Sequence, residues 1–69
     1  MSFSRIALIG FGEVGQILAQ DLAAAGVTDL AAWDILFART GSGPSLAAAG
    51  KVRMASGAAD AAADAELVI

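Results

Sequence analysis

The 69-residue sequence contains no cysteine and no histidine. Without cysteine, neither a disulfide nor a thiolate zinc site can stabilise the fold, and without histidine the commonest metal ligand and general base is absent. The chain has only four basic residues against seven acidic ones, and the four are scattered. A net charge of −3 without a basic cluster argues against a nucleic-acid-binding surface. We therefore expect no metal site and no nucleic-acid partner.

Long apolar segments are also missing, although 58% of the residues are hydrophobic. Asp21, Asp29 and Asp34 interrupt every candidate before it reaches the roughly 18–20 apolar residues that a membrane-spanning helix needs. Only residues 6–9 are apolar between Arg5 and the first glycine, which is too short a run for a signal peptide. We expect a soluble cytoplasmic protein that has no membrane partner.

The spacing of the apolar residues changes from a strand pattern to a helix pattern near residue 14. Arg5–Ile9 is a short apolar run that ends at glycine, typical of a strand buried on both faces of a parallel sheet. Beyond it the apolar residues recur at helical spacing, and Gly26 stands where a left-handed C-terminal cap is expected. The stripe predicted to face the core comprises Val14, Ile17, Leu18, Leu22 and Ala25.

The rest of the chain predicts more strands alternating with short helices. The predicted elements are a strand over residues 30–33 that ends at Asp34, a loop over 40–44, a helix over 45–49 closed by Gly50, a strand over 52–55, a helix capped by Ser56 that runs to 63, and a strand over 67–69. This order predicts an α/β fold, the N-terminal half of a Rossmann doubly wound parallel sheet. Because the last strand stops at Ile69, we expect residues 1–69 to be a partial dinucleotide-binding domain, truncated from a longer protein.

Three glycines, Gly10, Gly12 and Gly15, follow the first strand with the spacing G-x-G-x-x-G. Gly10 would allow a tight exit from the strand, Gly12 would let a pyrophosphate approach the backbone, and Gly15 would let the helix pack closely on the strand. Phe11, Glu13 and Val14 would contribute their backbone amides. The motif alone is weak, since a glycine-rich turn can be purely structural. Its place between a strand and a helix favours dinucleotide binding.

Asp34 strengthens this interpretation because it lies 19 positions after Gly15, at the end of the second predicted strand. Its carboxylate could accept hydrogen bonds from the adenosine ribose and would repel the 2′-phosphate of NADP. We therefore favour NAD over NADP as the cofactor. Glu13 is expected to stabilise the helix dipole, Trp33 to pack on the sheet, and Arg39 to be a solvated loop residue. We assign no catalytic residue.

The segment LIGFGEVGQILAQDL, residues 8–22, resembles the N-terminal signature of the β-hydroxyacid dehydrogenases, which include 6-phosphogluconate and 3-hydroxyisobutyrate dehydrogenases. Val14 stands where the family usually has methionine. Members often carry Asn-Arg-Thr after the second strand to read the 2′-phosphate of NADP, whereas this chain has Asp34, Ile35 and Leu36 there. The resemblance implies that the catalytic lysine and the substrate-binding residues lie beyond Ile69.

Together, the motif and the resemblance predict the NAD(P)-binding portion of an oxidoreductase that acts on the CH–OH group of a small hydroxy acid. We expect that enzyme to be a homo-oligomer when complete. An alternative is a nucleotide-sensing Rossmann module that regulates without catalysis. A methyltransferase that binds S-adenosylmethionine is disfavoured, because such proteins usually place an acid just before the first glycine and this chain has Ile9 there.

Overall fold

The computed structural model describes residues 4–39, 41–48 and 52–69. Four strands alternate with three α-helices, and a short 3₁₀ turn follows the second strand. The elements are β1 Arg5–Ile9, α1 Glu13–Ala24, β2 Asp29–Trp33, the 3₁₀ turn Ile35–Ala38, α2 Gly43–Ala48, β3 Arg53–Met54, α3 Ala58–Ala62 and β4 Leu67–Val68. This is the element order that the sequence predicts. No helix in the described part of the chain is long and apolar enough to cross a membrane.

The four strands form one parallel sheet in the order β3-β2-β1-β4. β1 and β2 pair along their whole length, from Arg5 opposite Asp29 to Ile9 opposite Trp33. The chain winds from β1 outward to β3 and then returns to place β4 on the other side of β1. This arrangement confirms a Rossmann-type half, and it puts the point where the strand order reverses at the carboxyl end of β1.

Helices cover both faces of the sheet. Successive side chains of β1 point to opposite faces, so they pack against different helices. Ile6 and Leu8 point into the larger core, which also contains Phe11 and residues from α1 and α2. Ala7 points to the opposite face, where it packs with Ala55, which follows β3, and with Ala61 of α3. Alanine on that face lets the short helix α3 approach the sheet closely.

Helix α1 ends as predicted, but it buries only part of the predicted stripe. Gly26 has φ +99°, and the Gly26 and Val27 N–H groups donate to the carbonyls of Ala23 and Leu22, which is a Schellman cap. Val14 and Ile17, however, are 72% and 52% exposed, whereas the buried residue of α1 is Ala19. The helical period was right, and Leu22 of the stripe packs against the core, but Val14 and Ile17 face away from the sheet.

Two boundaries predicted in the second half of the chain were wrong. Helix α2 begins at Gly43, inside the predicted loop, while the predicted end at Gly50 lies outside the described residues. Ser56 is not the cap of α3: the N-cap is Gly57, and the Ser56 N–H and hydroxyl both donate to the Asp60 carboxylate, over 2.9 and 3.3 Å. Asp60, in the first turn of α3, thus fixes the residue that precedes the N-cap.

Candidate functional site

The strand-to-helix turn at Gly10 and Phe11 lies at the carboxyl edge of the sheet. Gly10 has φ +100°, a conformation that side-chain-bearing residues rarely adopt, and its N–H donates to the Trp33 carbonyl over 2.6 Å. This hydrogen bond extends the β1–β2 pairing by one residue before the chain leaves the sheet. Helix α1 then begins at Glu13, as the sequence predicts.

Phe11 anchors this turn in the core. Its ring is only 1% exposed and lies 6.2 Å, centroid to centroid, from the ring of Phe37 in the 3₁₀ turn. Its N–H donates to the Asp34 Oδ2 over 2.7 Å. From the sequence we expect Phe11 to offer this amide to a ligand, whereas in the structure the amide is bonded to an internal carboxylate.

Asp34 joins the ends of β1 and β2. Besides accepting from Phe11, it accepts from the Leu36 N–H through Oδ1 over 2.9 Å, which caps the 3₁₀ turn. Each carboxylate oxygen therefore has one backbone donor among the described residues and retains a second lone pair toward them. The side chain is half-buried, so these lone pairs can still be reached by a hydroxyl group from outside.

The first turn of α1 has backbone donors to spare. The N–H groups of Gly10 and Phe11 are bonded within the protein, whereas those of Gly12, Glu13, Val14 and Gly15 bond to no protein atom in the described part of the chain. Helix N-termini carry the positive end of the macrodipole, so such N–H groups suit an anion. The residues also line a cleft of about 420 Å³ that extends to Ile9, Leu18 and Ile69.

The three glycines differ in what the fold itself demands of them. A Cβ on Gly15 would stand 2.6 Å from the Gly10 carbonyl oxygen, so any larger residue would force the helix and the turn apart. A Cβ on Gly12 would meet no atom of the described residues within 4 Å, and its φ of −74° suits any residue. The fold therefore requires glycine at positions 10 and 15 but has no use for it at position 12.

Charged side chains around this edge are acidic or exposed. Glu13, in the first turn of α1, is exposed and makes no hydrogen bond with the described residues. Arg39 closes the 3₁₀ turn that follows Asp34 and is exposed. Arg5 and Arg53 begin their strands at the opposite edge of the sheet, where Arg53 pairs with Asp60 at 3.5 Å. Attraction for an anion in this cleft thus comes chiefly from the helix backbone.

The residues singled out in the sequence come together at this edge. Gly10 to Gly15 form the turn and the helix start, and Asp34 reaches them through its bond to Phe11. Trp33 packs against the alanine cluster of Ala7, Ala55 and Ala61, as expected. Among residues 4–39, 41–48 and 52–69, no three acidic side chains lie close enough together to hold a metal ion.

Comparison with known proteins identifies the family. Residues 5–69 match the model of the family described as "NADP oxidoreductase coenzyme F420-dependent". No curated protein and no solved structure matches the chain. The family match confirms the Rossmann-type nucleotide-binding fold and oxidoreductase chemistry in general, and it does not single out the β-hydroxyacid dehydrogenases.

Proposed function

The chain belongs to the family of coenzyme F420-dependent NADP oxidoreductases, and we propose that it binds a nicotinamide dinucleotide at the carboxyl edge of its sheet. The pyrophosphate would accept hydrogen bonds from the N–H groups of Gly12, Glu13, Val14 and Gly15. The cleft beside them would receive the part of the cofactor that extends toward β4. When bound, the nicotinamide supplies the hydride chemistry, and these residues hold and orient it.

The conformation and the open surroundings of Gly12 support this proposal most directly. Its backbone is extended, a Cβ there would contact no described residue, and the N–H groups of the three residues that follow it bond to none of the described residues. Serine, threonine, asparagine or aspartate at an N-cap stabilises a helix, because the side-chain oxygen accepts a hydrogen bond from a backbone N–H. A ligand that must touch the backbone gives glycine a function here, because any Cβ would project into the space that the phosphates need.

For the adenosine half, we propose that Asp34 accepts hydrogen bonds from the ribose hydroxyls and makes NAD the preferred cofactor. The carboxylate still has a free lone pair on each oxygen. A 2′-phosphate in the same place would face this negative charge, and the following residues, Ile35 and Leu36, are apolar. The family description names NADP, so this preference would distinguish the present chain from that description.

We propose further that residues outside positions 1–69 bind the second substrate and supply the catalytic groups, and that the complete protein is a cytoplasmic homo-oligomer. The chain has no histidine, Asp34 is already engaged by two backbone N–H groups, and Glu13, the acid that lines the cleft, is exposed in the first turn of α1. The resemblance to β-hydroxyacid dehydrogenases supports a small hydroxy acid as substrate, while the family description supports coenzyme F420. Assays of NAD(H) turnover with each class would separate the two, and dinucleotide binding without turnover would favour the regulatory alternative.

Calorimetric titration of the intact protein with NADH tests the proposed binding site. Gly12→Val should abolish binding and leave the protein folded, because the new side chain meets open space in the protein but occupies the position of the pyrophosphate. Gly57→Val is the matched control, since Gly57 is also an N-cap with extended backbone and open space around its Cβ position. Wild-type affinity in Gly12→Val would show that the turn does not contact phosphate.

A further inference from the structure

Gln16 contacts the glycine turn twice. Its backbone N–H donates to the Gly12 carbonyl over 2.9 Å, which is the first hydrogen bond of helix α1. Its side-chain Nε2 donates to the Phe11 carbonyl over 3.1 Å, and this contact is partly buried. The side chain therefore turns back from the helix and bonds to a peptide group in the turn that precedes it.

Three successive peptide units of the turn are held by such bonds. The Gly10 N–H is fixed by the Trp33 carbonyl, the Phe11 N–H by Asp34, and the Phe11 carbonyl by Gln16. The first two bonds come from β2 and its end. The third comes from the helix, and among the described residues it is the one that fixes the peptide between Phe11 and Gly12.

The orientation of that peptide determines where the Gly12 N–H points. In a trans peptide the carbonyl and the N–H point in opposite directions. Holding the Phe11 oxygen toward Gln16 therefore directs the Gly12 N–H away from Gln16. Glycine tolerates the backbone angles of both orientations, so a peptide that precedes Gly12 can rotate readily unless it is tied. Rotation would turn the Phe11 oxygen toward the anion site in place of a donor.

We propose that Gln16 is a positioning residue for the dinucleotide, acting through the Phe11 carbonyl to keep the Gly12 N–H aimed at the pyrophosphate. The inference rests on the proposed function, because it assumes that the phosphates bind at this turn. Gln16 need not touch the ligand. Its effect is to order the turn before binding, so that the ligand does not have to.

Replacing Gln16 by methionine keeps the length of the side chain and removes its donor. Gln20 is the matched control, because it lies one turn further along α1, is exposed, and makes no side-chain hydrogen bond among the described residues. Affinities of the intact protein for NADH, ADP-ribose and adenosine are measured for wild type, Gln16→Met and Gln20→Met. Thermal unfolding of each variant shows whether it is folded.

We expect Gln16→Met to bind NADH and ADP-ribose roughly three- to tenfold more weakly, the range that corresponds to one lost hydrogen bond. Adenosine, which has no phosphate, should bind as in wild type, and Gln20→Met should bind all three ligands normally. A merely structural role would weaken adenosine and ADP-ribose together, and that result, or unchanged ADP-ribose affinity, would overturn the inference.

A second variant keeps the test decisive if Gln16→Met does not fold. Gln16→Glu has the same shape, and its ionised carboxylate cannot donate to the Phe11 carbonyl. At pH 8 it should weaken ADP-ribose binding more than Gln20→Glu, which adds the same charge one turn away. Equal effects would overturn the role of Gln16. Failure of the wild-type protein itself to bind NADH or ADP-ribose would instead overturn the proposed function.

Discussion

Gly12→Ser should make the protein more stable and a poorer dinucleotide binder at the same time. Gly12 is the N-cap of α1, its backbone already has the extended conformation of a capping residue, and no side chain caps the helix. A serine Oγ could therefore accept from the Val14 or Gly15 N–H. Those are the donors that the proposed pyrophosphate needs, so the hydroxyl and the ligand would compete for them.

The expected gain in stability can be estimated from two effects. Serine is preferred to glycine at an N-cap by a few tenths of a kcal/mol. Replacing glycine where the backbone allows it also restricts the unfolded chain, which contributes roughly 0.4–1 kcal/mol. Since no atom in the described part of the chain lies within 4 Å of the new Cβ, no clash with it offsets these terms. A total of about 0.6–1.5 kcal/mol would raise the melting temperature of a 60–100-residue domain by roughly 2–12 °C.

The expected loss of affinity is larger, because hydrogen bonds to a charged group contribute roughly 1.5–3 kcal/mol each. Losing one such bond weakens binding by about tenfold or more. Differential scanning calorimetry without ligand and titration with NADH measure the two effects separately. Gly57→Ser, at the uncapped N-terminus of α3, should gain stability without losing affinity. Wild-type affinity in Gly12→Ser would refute the assignment of these N–H groups to phosphate, and a lower melting temperature would refute the open space at Gly12.

Two further predictions concern the stability of the fold. Gly15→Ala should lower the free energy of unfolding, measured in urea, by roughly 1 kcal/mol or more. The new Cβ would lie 2.6 Å from the Gly10 carbonyl oxygen, and this overpacking outweighs the helical preference for alanine. Equal stability of Gly15→Ala and the uncrowded control Gly43→Ala would contradict this. Hydrogen bonds from the Ser4 N–H, the Arg5 N–H and the Ser4 hydroxyl lower the pKa of Glu66 below its ordinary value of 4.5. The ionised carboxylate should therefore stabilise the fold at neutral pH, and this contribution should be lost as the pH falls through the lowered pKa. Unfolding free energies measured against pH should show less acid dependence in Glu66→Gln than in wild type, and an equal reduction in the exposed control Glu13→Gln would count against this.

Features that depend on neighbouring residues could be predicted from the sequence. The apolar run of β1, the glycine that leaves it and the switch to helical spacing all lie within about 15 residues, and each has a local cause. The start of α1 at Glu13 and the Schellman cap at Gly26 follow from such causes. The Rossmann-type fold was inferred from the same local order, and the sheet topology and the family match confirm it, whereas phosphate binding by the glycine motif stays a prediction.

Features that depend on distant residues could not be predicted in this way. The spacing of Val14 and Ile17 reveals a helix, but the side that meets the sheet depends on how closely Gly15 lets the helix approach. The carboxylate of Asp34 bonds to the Phe11 N–H across 23 positions, a contact that no sequence periodicity encodes. The return of the Gln16 side chain to the turn likewise depends on the orientation of a peptide group.

The hydrogen bonds of Asp34 also determine how its proposed preference for NAD should be tested. Asparagine at this position would keep one acceptor but set its amide group against the other backbone N–H, so Asp34→Asn would disturb the turn as well as the charge. Ile35→Arg avoids this, because Ile35 is 74% exposed and directly follows the carboxylate. The new guanidinium could pair with a 2′-phosphate and offset the repulsion from Asp34.

We expect Ile35→Arg to move the ratio of the NADH and NADPH dissociation constants toward NADPH, by about tenfold for each ~1.4 kcal/mol of added attraction. Ile35→Gln, which changes polarity at the same position without charge, should leave the ratio near its wild-type value. Raising the ionic strength should reduce the shift, because the new interaction is between exposed charges. A wild-type protein that binds NADPH more tightly than NADH, or a folded Ile35→Arg variant with an unchanged ratio, would show that the 2′ position of the ribose does not lie beside Asp34.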